Sequence, residues 1–150
     1  MATSSKTARR RAREFAMQAL YAWQLSGAAP ADLVTQMKER EGLERADVAF
    51  AERLVRGVIA DAEALRPQIA ACAARSFEAL SPVERAILYI GAWELSRDPE
   101  TPFKVVLNEA VELGKSFGGE GGHRFVNGAL EKLASDLRPA EVALARRATA

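Results

Sequence analysis

The sequence has one cysteine, Cys72, and one histidine, His123. A lone cysteine forms no internal disulfide, which points to a reducing compartment. There is no HExxH, no paired-cysteine spacing, no GxSxG and no Walker loop. The run GGEGG at Gly118–Gly122 lacks the GK[ST] that would reach phosphates, and it reads as a flexible helix connector. His123 follows it at a helix start with no nucleophile or carboxylate placed beside it by motif, so it reads as a polar helix-start residue or an RNA contact. No catalytic residue, metal or cofactor is therefore expected. Long hydrophobic runs are also missing. The longest, Ala86 to Trp93, is far too short to cross a bilayer, and the basic N-terminal stretch MATSSKTARRRAREF is followed by no apolar core of a secretory signal. A cytoplasmic location without membrane contact is the resulting expectation.

What remains is helix-forming material. Alanine, leucine, glutamate and arginine dominate, while β-branched and aromatic residues are sparse. At 150 residues, with 49% hydrophobic and 27% charged content, the chain suits one soluble domain with a substantial core. Net charge is only +1 but uneven. Lys6, Arg9, Arg10, Arg11 and Arg13 stand ahead of the first acid, Glu14. The rest of the chain holds 16 bases against 20 acids. One basic end on a mildly acidic body is an electrostatic footprint for phosphate.

Hydrophobic spacing predicts helices nearly end to end. The first runs from about Thr7 to Ser26 with Ala12, Phe15, Ala16, Ala19, Leu20 and Trp23 on one face. Gly27 and Pro30 end it, and a short helix follows over about Ala31–Arg40, broken by Gly42. A long helix starts near Ala46, which Pro67 is expected to bend or end. Ser81-Pro82-Val83-Glu84 is a capping box opening a helix to about Ser96, apolar on most sides and so expected at the centre of a bundle. Thr101-Pro102 is expected to cap a further helix, and the last runs from about His123 to Leu137. Residues 1–13 are expected to be a flexible arginine-rich segment and 139–150 a frayed tail of a single all-α domain.

Three features invite a function. Arg10 and Arg13 flank the apolar stripe of the first helix, and Arg9 continues it beyond the core. Cations at a helix N-terminus oppose its dipole unless anions arrive, so with Lys6 they read as phosphate contacts or as a merely solvated charge run. Met17, Tyr21 and Leu25 lie away from the stripe. Either a neighbouring segment covers them or they form an exposed strip for a partner. Phe125 sits on the shoulder of its helix beside Arg124, with Lys115 on the preceding helix. It is either a core-edge residue or a platform for an RNA base.

The segments ARRRAREFAMQALYAWQL, SPVERAILYIGAWEL and PFKVVLNEAVELGKSFGGEGGHRFVNGALEKL, in this order and spacing, resemble the NusB family over most of residues 8–138, least between Ala28 and Arg75. The resemblance implies a bundle of about seven helices in two small subdomains. It implies binding of single-stranded boxA-like RNA of ribosomal RNA leader transcripts, together with the small-subunit ribosomal protein NusE, in an antitermination complex on RNA polymerase. It assigns Arg10 and Arg13, with Lys6 and Arg9 as neighbours, and Phe125 to RNA. It assigns Tyr21, Leu25 and Glu84 to the protein partner. Where the family pattern leads one to expect an acid before the final helix, this chain has Gly121 and Gly122. Other classes fit parts of the pattern: a helical protein-interaction module, a regulatory RNA-recognition domain like the NusB-like segment of some ribosomal RNA methyltransferases, or a helix-turn-helix DNA reader. The first would keep no RNA affinity traceable to the arginines. The second lacks its cofactor-binding domain here, and the third lacks a recognition helix with base-reading residues.

Overall fold

A computed structural model describes residues 5–149, and residues 1–4 of the segment expected to be flexible lie outside the described residues. Helices account for nearly everything: α1 (Ser5–Ser26), α2 (Pro30–Lys38), α3 (Val48–Ala73), α4 (Pro82–Arg97), α5 (Phe103–Phe117), α6 (Gly122–Leu137) and α7 (Pro139–Thr149), with single 3-10 turns at Leu43–Arg45 and Phe77–Ala79. No strand occurs among the described residues, and no helix among them is long and apolar enough to cross a membrane. Backbone packing divides the chain into two units, 1–62 and 63–150.

In the first unit α1 packs on α2 and on the 3-10 turn that precedes α3. Ala12, Ala16, Ala19 and Leu20 are buried as the helical spacing requires, and Phe15 and Trp23 are half-buried. α1 ends where Gly27 turns left-handed (φ 67°) and its N–H reaches the Trp23 carbonyl at 2.8 Å, a conformation that costs glycine little. Pro30 then occupies the first turn of α2, where its missing N–H is no loss. Asp47 launches α3. Its Oδ1 accepts from the Phe50 N–H at 3.1 Å, and its own N–H donates to the Ala8 carbonyl of α1 at 3.0 Å.

The second unit is built on α4. The capping box is present: Ser81 N–H donates to Glu84 Oε1 at 2.9 Å, and Glu84 N–H to Ser81 Oγ at 3.1 Å. Every residue from Ala86 to Leu95 is buried, as befits a helix packed against both α5 and α6. Gly91 and Gly114 are the points of closest approach. A Cβ on Gly91 would lie 2.6 Å from Leu130 Cδ1, and one on Gly114 would lie 2.8 Å from the His123 Cα.

Four expectations are corrected here. The helix begins at Ser5, so residues 5–13 belong to α1. Pro67, expected to bend or end α3, does not end it: the helix continues to Ala73. Proline removes one helical donor, but both Pro67 and Glu63, whose carbonyl loses that donor, are exposed to water. Thr101 does not cap α5. Its hydroxyl donates inward to Asp98 Oδ2 at 2.7 Å, and the first N–H of α5, that of Phe103, is taken at 2.7 Å by Glu141 Oε2. Glu141 belongs to α7, the helix that replaces the expected frayed tail. Pro139 does stop α6, but as the first residue of α7. Arg138, between the two, explains why α7 holds. Its guanidinium donates to the carbonyls of Glu94, Leu95, Asp98 and Thr101 at 2.6–3.1 Å and pairs with Glu141 at 3.1 Å. Of these, the Leu95 carbonyl is one that the end of α4 leaves without a helical donor, whereas that of Glu94 also accepts the Asp98 N–H at 3.0 Å.

Candidate nucleic-acid interface

The α1 arginines are held, not loose. Phe50, near the start of α3, is buried, and three guanidiniums surround its ring: Arg9 at 4.2 Å from the centroid, Arg13 at 5.0 Å and Arg53 at 5.5 Å. A guanidinium stacks on an aromatic face while keeping its N–H edge available. Arg9 also lies 3.6 Å from the Asp47 carboxylate, which is shared with the start of α3. Lys6 is exposed, and Arg9 and Arg10 are half-exposed. Arg13 differs. At 3% exposure it is buried, with the Phe50 ring beside its guanidinium. Its replacement therefore reports on packing as well as binding.

A gradient runs along the second α1 strip. Met17 is 2% exposed, Tyr21 39% and Leu25 65%. The proposed partner strip thus loses Met17 to the core, while Tyr21 and Leu25, in the last two turns of α1, are exposed. Glu84 lies in the second unit, half-buried, and its Oε1 is already used by the cap.

In the second unit the close approach at Gly114 and His123 sets the last turn of α5 beside the first turn of α6. Lys115 is exposed and 3.7 Å from Glu112. Arg124 is exposed and Phe125 half-buried. α3 ends in a left-handed turn at Ala74 (φ 54°), and the next residue, Arg75, places its guanidinium 4.2 Å from the Phe125 ring centroid. Phe125 is therefore one side of an arginine–aromatic stack. Gly121 takes a left-handed conformation (φ 78°) and its carbonyl accepts from the N–H groups of Arg124 and Phe125, so glycine opens α6 with no side-chain cap.

Asp47, Phe50, Arg53 and Arg75 escaped sequence reading. Asp47 alone had a local signal, as a helix-start acid. The other three act through contacts between helices remote in sequence. No group of three or more His, Cys, Asp or Glu residues that could hold a metal occurs among the described residues. Burial pushes the Cys72 thiol up to about 11, so the protonated, unreactive form dominates at neutral pH. Hydrogen bonds from Lys38 and then Arg56 lower the Glu52 carboxyl.

Arginine–aromatic contacts are thus built on Phe50 in the first unit and on Phe125 in the second, within an all-helical frame. The family model described as "NusB family" matches residues 10–135. The chain is 47% identical over 142 residues to the transcription antitermination protein NusB of Paraburkholderia phytofirmans, covering 95% of this chain and 99% of that one. It superposes on T. maritima NusB with a TM-score of 0.78 at 27% identity, covering 95% of this chain and 99% of that one. A crystal structure of the antitermination factors NusB and NusE in complex with dsRNA gives a TM-score of 0.74 at 27% identity, covering 85% and 96%. The chain belongs to the NusB family.

Proposed function

We propose that this chain is an RNA-binding transcription antitermination factor that binds boxA-type RNA of ribosomal RNA leader transcripts together with NusE, within a complex on RNA polymerase. It acts in the cytoplasm, by binding and not by catalysis. The observation that supports this most directly is the set of arginines on α1, oriented on Phe50 in a chain whose relative was crystallised with NusE and dsRNA. Lys6, Arg9 and Arg10 meet phosphates, with Arg13 supporting them from below. Lys115 and Arg124 add charge in the second unit. Phe125, already faced by Arg75, offers its remaining surface to an unstacked base. Tyr21 and Leu25 offer apolar area to NusE, and Glu84 offers charge.

Binding of the chain, with and without NusE, to boxA-like, scrambled and duplex RNA tests this reading. Preference for the boxA-like strand, strengthened by NusE, is expected. Equal affinity for all three RNAs in the presence of NusE would contradict it.

A further inference from the structure

The second unit carries two arginine–aromatic groups that differ in what their guanidiniums already hold. At Phe77, Arg66 and Arg85 lie 5.8 and 5.0 Å from the ring centroid. Both are hydrogen-bonded to the protein. Arg66 Nε donates to Tyr89 Oη at 2.9 Å, and Arg85 donates to the carbonyls of Phe77 and Glu78 at 3.0 and 2.9 Å. At Phe125 the guanidinium of Arg75 lies closer, 4.2 Å from the centroid, yet among the described residues it has no hydrogen bond and no ion pair. Arg75 is exposed. An aromatic face orients a guanidinium without neutralising it, and the five N–H donors of that group form a planar fork that matches a phosphate.

The backbone sets Arg75 in place. α3 closes with the Arg75 N–H on the Ala70 carbonyl at 3.4 Å and the Ala74 N–H on the Ala71 carbonyl at 3.3 Å. This pair of bonds passes through a left-handed residue, commonly glycine. Here that residue is Ala74 (φ 54°). Non-glycine residues seldom hold this conformation, and where they do the surroundings fix it. The chain thus leaves α3 by a defined turn, beside the half-buried Phe125.

Resting on the RNA-binding reading above, we propose that Arg75 is a further RNA contact: held over Phe125, it donates to a backbone phosphate next to the base that stacks there, so that the RNA footprint reaches the end of α3.

The test is the affinity of wild type, R75Q, R75K and R147Q for a labelled single-stranded boxA-like RNA over a series of salt concentrations, with melting temperatures measured in parallel. Arg147 is an exposed arginine of α7, so R147Q removes the same charge from the same unit. R75Q is expected to bind severalfold more weakly, and its plot of log affinity against log salt should flatten by about 0.7, the value for one single-strand phosphate contact. R75K should keep the slope, because an ammonium also displaces a counterion, while R147Q and every melting temperature stay close to wild type. An R147Q that flattens the slope as much as R75Q would overturn the proposal, and so would an R75K as deficient as R75Q. A lower melting temperature in R75Q with an unchanged slope would overturn it too, leaving Arg75 a part of the helix end alone. If wild type itself fails to bind RNA, the functional reading falls and Arg75 with it. If wild type binds and R75Q matches it in affinity and slope, the functional reading stands and Arg75 alone is dropped.

Discussion

The start of α3 and the crossing of α5 with α6 join helices in opposite ways. At the crossing, Gly114 lacks a side chain, so the backbone of His123 can approach. At the α3 start the helices meet through long cations laid on a buried ring and through one shared carboxylate. The first kind of junction fixes geometry and tolerates no added atom. The second fixes the direction of charges. Stability and binding should therefore separate under mutation: the apolar contacts carry the first and the arginine–aromatic contacts the second.

The sharpest contrast lies within one strip of α1. Met17→Ala should cost about 2–5 kcal/mol, the range for emptying a buried large apolar site, read as a lower denaturant midpoint. Leu25→Ala, at 65% exposure, should barely move that midpoint but should weaken NusE binding. Equal midpoints for the two variants would remove the distinction between core and partner face.

Gly114→Ala comes next. Its new Cβ meets backbone, which cannot rotate aside, so about 1–3 kcal/mol of overpacking is expected, visible as a melting temperature lower by roughly 2–4 °C per kcal/mol. The salt slope of RNA binding by the folded fraction should not change. An unshifted melting curve would show that α5 and α6 can separate freely.

Phe125→Ala reverses the pattern. Loss of one base stack costs about 1–3 kcal/mol of RNA binding, while the half-buried ring should leave melting nearly intact. A large melting loss with full RNA affinity would assign Phe125, and its stack with Arg75, to structure alone. The smallest effect concerns α4. Ser81→Ala should cost about 1 kcal/mol through the lost cap, whereas Glu84→Gln keeps an acceptor for the Ser81 N–H and should change NusE binding only. Glu84→Gln with unaltered NusE affinity would exclude the charge from that interface.

These contrasts also mark what a sequence discloses. The Ser81 capping box, the apolar α4 and the Gly27 stop were legible because each depends on neighbours within one turn. The frame of the fold was readable for that reason. Thr101 was misread because the true acceptor at the start of α5, Glu141, is 38 residues away. α7 was missed because Arg138 holds it through carbonyls on α4 and before α5. The arginines of α1 were visible as a cluster. That Arg13 is buried, and that Phe50 and Arg53 complete the group, follows only from the meeting of α1 with α3.

The central claim is that the half-exposed arginines of α1 hold RNA phosphates. It is tested most directly by the salt dependence of RNA binding in wild type and in the double variant Arg9→Gln with Arg10→Gln. Both side chains are accessible, so folding should survive. Two lost single-strand contacts should flatten the slope of log affinity against log salt by about 1.4. A double variant with the wild-type slope would contradict the account.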